Sequence, residues 1–207
     1  MLNLFFVFLL AVGVYFLIKD FLSLKKAAEL SAEALYPVGE QFANVFTDRE
    51  WKEMKPISKH TKSYRIVKWG TAAALVFVLG MAGIVFLTDL VSSSIFSLVY
   101  IFYFYMSAIR HPGNFFILQK GIILDSKYIS PSSIKEFSVE KIRRWHALYG
   151  YHSKVNNGFK LSFSFKNKLI PSSFVVIAEE KDLDEIIKLL EAQGILGKLE
   201  EEEKFAK

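Results

Sequence analysis

Three long apolar stretches dominate the hydrophobic pattern of the chain. They cover residues 2–18, 66–88 and 91–109, and Asp89 with a few polar residues separates the second from the third. A transmembrane helix needs roughly 20 consecutive apolar residues to cross about 30 Å of hydrocarbon. The pattern therefore predicts three transmembrane helices, one within residues 1–20 and two forming a hairpin over residues 66–110.

The first stretch has an alternative interpretation as a secretory signal peptide. Such a peptide has a basic start and a small-residue cleavage site. Residues 1–20 carry neither feature, because the first charges are Lys19 and Asp20. The retained anchor is favoured, and the alternative stays open.

The segment between the first two stretches, residues 21–65, predicts a helical loop. Phe21, Leu24 and Ala28 recur at helical spacing, so we expect the first helix to continue to about residue 36. Thr47 and Glu50 stand three residues apart, as in a capping box, and predict a second short helix.

The remainder of the chain predicts a small β-rich domain over residues 111–195, followed by an acidic tail over 196–207. The predicted strands are residues 115–119, 122–124, 128–129, 134–139, 142–148, 159–166 and 172–178. Asn157-Gly158 predicts a tight turn, because Asn and Gly tolerate positive φ. Leu183, Ile186 and Leu190 then repeat at helical spacing and predict a closing helix that ends at Gly194.

The order of these elements resembles that of bacterial pleckstrin-homology-like domains. The segments that carry the resemblance are Phe116-Ile117-Leu118-Gln119-Lys120-Gly121-Ile122-Ile123, Ile134-Lys135-Glu136-Phe137 and the terminal amphipathic helix. The resemblance covers roughly residues 112–194. It implies a seven-stranded antiparallel β-barrel or roll capped by a C-terminal helix, with a role in binding or assembly and no catalytic residue.

Charge is segregated along the chain. Residues 110–178 contain 11 Lys or Arg against 3 acidic residues, whereas residues 179–207 contain 5 Lys against 10 acidic residues. The segment 19–68 is also rich in Lys, and the short connection after the second stretch has none. Basic segments stay on the cytoplasmic side. We therefore expect a multi-pass protein of the cell membrane, with its N-terminus outside and its C-terminal domain cytoplasmic.

Few residues point to chemistry. The chain has no Cys, which excludes disulfides and thiolate metal sites. Its four histidines, at positions 60, 111, 146 and 152, are scattered, although His146 and His152 could approach each other across a hairpin. Neither a phosphate-binding glycine loop nor a nucleophile elbow is present. We expect no enzymatic activity, cofactor or metal.

The most distinctive local feature is a basic segment that contains a tryptophan. Its candidate lipid- or partner-binding residues are Lys141, Arg143, Arg144 and Trp145. An arginine fork binds phosphate, and Trp favours the membrane interface. The alternative is an exposed strand whose long side chains protect a sheet edge. Nucleic acid is disfavoured, because no recognition motif accompanies the charge.

Two classes of function remain open. The first is a membrane-anchored binding or scaffolding protein whose cytoplasmic domain docks on anionic lipids of the inner leaflet or on a partner membrane protein. The second is an immunity or antimicrobial-resistance protein that acts within the bilayer. The oligomeric state is left open by the sequence.

Overall fold

The computed structural model describes residues 2–47, 51–87, 100–105, 107, 109, 113–167 and 171–199. The chain divides into two compact units, which are described separately. The helical unit contains Met1–Lys26 and Ile57–His111, and the sheet unit contains Ala27–Pro56 and Pro112–Lys207. The sequence-based division kept residues 21–65 together as one loop, whereas the structure distributes them between both units.

Two long helices and a short helical segment build the helical unit. Helix α1 spans Leu2–Leu30, α2 spans Lys62–Leu87, and residues 100–105 are also helical. The continuation of the first helix beyond residue 20 is confirmed, although α1 ends at Leu30 and a 3₁₀ turn, Ser31–Glu33, follows it. The buried side chains at the centre of the unit are Leu10, Leu17, Ala74, Val78, Met81 and Phe102.

Two glycines allow close packing in the helical unit. A Cβ on Gly13 would lie 2.7 Å from Cε1 of Phe102, and a Cβ on Gly70 would lie 2.8 Å from Cγ2 of Ile109. Both positions lack space for a side chain, so the neighbouring side chains approach the helix backbones directly.

The prediction of three transmembrane helices is wrong. In the described part of the chain, a single stretch, Lys62–Gly83 of α2, is long and apolar enough by length and composition to cross a membrane. Any 18-residue segment of α1 that begins at Phe8 or later contains more than two charged residues, because it includes Lys19, Asp20 and Lys25. Most of the third predicted span lies outside the described residues.

The sheet unit contains two β-sheets. Strands β2 (Phe115–Leu118), β3 (Gly121–Leu124) and β4 (Lys127–Ile129) form an antiparallel meander. The second sheet has the order β1-β7-β6-β5-β8. Its strands are β1 (Val45–Thr47), β5 (Ile134–Lys141), β6 (Phe159–Phe165), β7 (Ser173–Ile177) and β8 (Gly197–Leu199).

Helix α3, Glu180–Ala192, closes the main core of the sheet unit. Its Leu183, Ile186 and Leu190 are buried, as their spacing predicts, and Gly194 follows the helix with φ +75°. Phe115 of the small sheet and Phe163 of β6 face each other with ring centroids 5.8 Å apart. The alternation of buried and half-buried residues along β6 confirms that one face of this strand is buried.

The segment Ala27–Pro56 is an integral part of the sheet unit. Strand β1 pairs with β7, and the backbone of Tyr36 bridges to Ile117 of β2. Asn44 Nδ2 donates a 2.8 Å hydrogen bond to the buried carboxylate of Asp182. Burial, with the negative charge of Asp182 nearby, raises the pKa of the Tyr36 hydroxyl well above its usual range.

Three further expectations differ from the structure of the sheet unit. The expected antiparallel barrel or roll of seven strands is observed as two sheets with eight strands, and one pair, β5 with β8, is parallel. The short helix predicted between Thr47 and Pro56 is absent from residues 51–56, and Glu50 lies outside the described residues. Thr47 itself is paired with Val175 in the sheet. Residues 142–148 form turns instead of a strand. In each case tertiary pairing overrides a local pattern.

Candidate functional site

The basic segment belongs to a long loop, residues 142–158, that joins β5 to β6. Two backbone hydrogen bonds close its base: Ile142 N–H donates to Gly158 O at 2.8 Å, and Asn157 N–H donates to Ile142 O at 3.1 Å. Asn157 has φ +70°, which the predicted turn at Asn157-Gly158 requires. A Cβ on Gly158 would lie 2.8 Å from the Ile177 carbonyl oxygen, so only glycine fits this close approach.

The 142–158 loop packs on the face of the large sheet that points away from α3. Phe46 of β1 and Val176 of β7 form a small core with Ile142 and Val155 from the loop, and all four side chains are buried. Lys154 adds an ion pair at the surface, with its Nζ 2.6 Å from Oε1 of Glu53. This hydrogen bond lowers the pKa of the Glu53 carboxyl. The loop is thus anchored on the sheet and on segment 27–56.

Two histidines stiffen the loop from within. His146 Nδ1 accepts a hydrogen bond from Leu148 N–H at 3.0 Å, and His152 Nδ1 accepts one from Lys154 N–H at 3.2 Å. The two rings have different partners. His146 faces Glu140, whereas His152 packs against Phe46, with the two ring centroids 4.9 Å apart. Both rings therefore serve the folding of the loop.

A three-residue polar network supports the base of the loop. Glu140 on β5 accepts hydrogen bonds from Lys160 Nζ at 3.1 Å and from His146 Nε2 at 3.3 Å. Burial alone would raise the pKa of the Glu140 carboxyl, but the hydrogen bonds from Lys160 and His146 outweigh it and lower the pKa. Glu140 is directly opposite Lys160 in the β5–β6 register, which the sequence does not reveal.

The four candidate binding residues occupy the end of β5 and the first turn of the loop. The Arg143 guanidinium lies 5.7 Å from the centroid of the Trp145 ring, within cation–π range. Trp145 itself is 70% exposed, and Arg144 beside it is also exposed. Lys141 is exposed but has its Nζ 5.3 Å from the centroid of the Phe159 ring.

An aromatic stack beside the loop was missed by the sequence reasoning. Trp51 and Tyr151 lie with ring centroids 4.8 Å apart and an interplanar angle of 18°, and Phe174 lies 6.4 Å from Trp51. Tyr151 is 59% exposed. The two stacked residues are a hundred positions apart in the sequence. No local pattern identifies such a pair.

No family model, curated protein or solved structure matches this chain. The resemblance to bacterial pleckstrin-homology-like domains therefore stays a prediction. The function has to be argued from the geometry of the chain itself.

The geometry favours binding through charge and aromatic surface. Three His, Asp or Glu side chains do not come together as a metal site anywhere in the described part of the chain. The carboxylate at the base of the loop, Glu140 on β5, is occupied by hydrogen bonds from Lys160 and His146. What the loop presents to solvent is an exposed indole with arginines next to it on an ordered scaffold. Residues 200–207 of the predicted acidic tail lie outside the described residues.

Proposed function

We propose that the chain is a membrane-anchored, non-enzymatic binding protein whose 142–158 loop docks on anionic lipid headgroups of the inner leaflet. The helical unit supplies the anchor, with α2 as its candidate span. The observation that carries the proposal is Trp145, which is 70% exposed and accompanied by Arg143 and Arg144 on a loop with a fixed backbone. Trp has an apolar ring and a polar N–H, and it is enriched at membrane–water interfaces.

The charge around the loop supports an anionic partner. Residues 110–178 carry 11 Lys or Arg against 3 acidic residues, and two of those three, Glu136 and Glu140, are neutralised by lysines. Each basic residue near an anionic surface contributes about 1 kcal/mol of attraction. Arginine adds the planar fork that fits a phosphate, and the indole adds apolar contact at the depth of the headgroups.

The experiment uses Trp145 as a reporter of membrane insertion. The chain has three tryptophans, so Trp51→Phe with Trp69→Phe leaves Trp145 as the only indole. The full-length variant is reconstituted into vesicles whose acyl chains carry bromine, a collisional quencher. We expect quenching of Trp145 fluorescence in vesicles that contain phosphatidylglycerol, and little in pure phosphatidylcholine. High salt should reverse it, because exposed charges are screened over about 8 Å at physiological ionic strength.

Matched variants separate the loop from general charge. Arg143→Ala with Arg144→Ala should remove most of the quenching, whereas Lys127→Ala with Lys188→Ala, two exposed lysines outside the loop, should leave it largely intact. Equal quenching in neutral and anionic vesicles would refute docking by charge. Absence of quenching in both would direct attention to a partner membrane protein as the ligand of the loop.

A further inference from the structure

The helical unit contains a basic cavity that the proposed function does not use. Its volume is about 460 Å³, and it lies between the C-terminal third of α1 and the first turns of α2. Seven side chains line it: Phe21, Lys25, Lys59, Tyr64, Arg65, Lys68 and Trp69. Four of these are cationic, and no carboxylate occurs among the described residues that line the cavity.

Aromatic rings form the walls of this basic cavity. Phe21 of α1 and Tyr64 of α2 have ring centroids 6.2 Å apart, and Tyr64 is 5% exposed. Trp69 is 68% exposed, and the Nζ atom of Lys68 lies 5.8 Å from its ring centroid. The cavity thus combines aromatic walls with cationic side chains at its rim, since Lys25, Arg65 and Lys68 are all exposed.

Cationic side chains that converge on one cavity attract anions. Lys25 lies on α1 and Arg65 on α2, so the two helices bring their charges to the same cavity. Phosphate groups suit such a site, because arginine and lysine both bind them. The chemistry of the cavity therefore selects a phosphate-bearing anion.

The position of the cavity indicates where the phosphate comes from. It lies at the N-terminal end of Lys62–Gly83, the candidate membrane-crossing stretch. From Trp69 toward the C-terminal end of α2, the surface continues with exposed apolar side chains, among them Val76 and Leu79. Trp and Lys at the end of an apolar helix are typical of the headgroup level of a bilayer. A headgroup in the cavity would have its acyl chains along this apolar surface.

We propose that this cavity is a binding site for the headgroup of an anionic phospholipid. Lys25 and Arg65 contact the phosphate from opposite helices, and Phe21 with Trp69 contacts the glycerol and the first methylenes. The site is separate from the 142–158 loop and does not depend on it.

The test follows the fluorescence of Trp69 in the full-length chain. Trp51→Phe with Trp145→Phe leaves Trp69 as the only indole, at the wall of the cavity. The protein is titrated in neutral detergent with dihexanoyl-phosphatidylglycerol, dihexanoyl-phosphatidylcholine or inorganic phosphate at constant ionic strength. We expect a saturable change with phosphatidylglycerol alone.

Charge variants locate the binding. Lys25→Gln and Arg65→Gln should each weaken phosphatidylglycerol binding roughly five-fold, and together about 25-fold, as expected for cations near an anionic group. Lys62→Gln is the matched control, because Lys62 is exposed on the same turn of α2 and does not line the cavity. The affinity of this variant should stay within about two-fold of the parent chain, because Lys62 makes no contact with the bound phosphate and solvent screens its charge. Unchanged melting temperatures without lipid would show that these surface variants remain folded.

Three results would overturn the assignment. An equal response to phosphatidylcholine would show that Trp69 reports detergent mixing, and equal weakening by Lys62→Gln would show diffuse attraction. Saturation and displacement by inorganic phosphate would identify a free-anion site instead of a lipid site. Arg143→Ala with Arg144→Ala should leave the Trp69 response unchanged, so failure of this proposal and failure of docking by the loop are distinguishable.

Discussion

At the residue scale, the contacts of Glu140 depend on the pairing register of β5 and β6, which exists only in the folded chain. Glu140 faces Lys160 across the β5–β6 pair and receives His146 from the 142–158 loop. The network ties the loop to the strand from which it leaves. Lys160, which would otherwise add to the positive field of the loop, is thereby held by a carboxylate, and His146 is held beside it by a hydrogen bond.

Glu140→Gln should lower stability in a pH-dependent way. The pKa of Glu140 is lowered by folding, so its contribution is present above the ordinary pKa of about 4.3 and is lost as pH falls through the folded value. We expect a cost of at most about 1 kcal/mol at pH 7, because the carboxylate is partly exposed, and thus a melting temperature roughly 2–4 °C lower. The difference from the parent chain should shrink below about pH 4.

The control for this prediction is Glu191→Gln. Glu191 is exposed on α3 and has no partner side chain in the described part of the chain. A loss of stability at Glu140 that stays constant between pH 7 and pH 3, or one that Glu191→Gln reproduces, would contradict the assigned network.

At the element scale, β8 forms one edge of the large sheet, and its position depends on a glycine in the strand. It pairs in parallel with β5, and Phe137 N–H donates to Leu196 O at 3.0 Å. A Cβ on Gly197 would lie 2.5 Å from Cζ of the buried Phe137 ring. The strand can therefore approach β5 only because residue 197 has no side chain.

Gly197→Ala should displace β8 from the sheet. Forcing a methyl group against a buried ring costs about 1–3 kcal/mol. We expect faster hydrogen–deuterium exchange of the Phe137 amide and a lower melting temperature. Leu196→Ala is the neighbouring control, since Leu196 is 75% exposed and its truncation should have little effect on either measurement. Protection of the Phe137 amide that survives Gly197→Ala would show that β8 does not hold this edge.

At the scale of the whole molecule, the sheet unit is discontinuous in sequence. Segment 27–56 supplies β1 and the buried Tyr36, and 55 residues of the helical unit separate it from the remaining strands. A fragment that begins at residue 112 would leave the edge of β7 unpaired and the Tyr36 position empty. We therefore expect that the C-terminal part of the chain does not fold by itself.

A joined fragment should fold where the C-terminal fragment does not. We expect residues 27–56, connected to residues 112–207 by a flexible Gly/Ser linker, to give a cooperative thermal transition and a mixed β and helix dichroism spectrum. Residues 112–207 alone should give neither. Leu190→Asp in the joined fragment is the negative control, because a charge would enter the buried face of α3. A cooperative transition in the short fragment would show that segment 27–56 is dispensable.

The sequence by itself determined those elements whose signal is local and periodic. The strands β2, β3, β4, β5, β6 and β7, the buried face of α3 and the glycine after it all follow from residues within one element. Apolar stretches also identify helices, but length and hydrophobicity alone predicted two more membrane spans than the described structure supports. The predicted orientation across a membrane stays a prediction.

Only the tertiary structure decided how distant segments meet. Residues 45–47 become an edge strand because β7 offers Val176 and Ile177 as partners, although Thr47 with Glu50 has the pattern of a helix start. Residues 142–148 leave the sheet because Ile142 enters a core with Phe46. The basic cavity unites Lys25 of α1 with Arg65 of α2. Contacts between residues far apart in sequence depend on register and packing, which a local pattern does not encode.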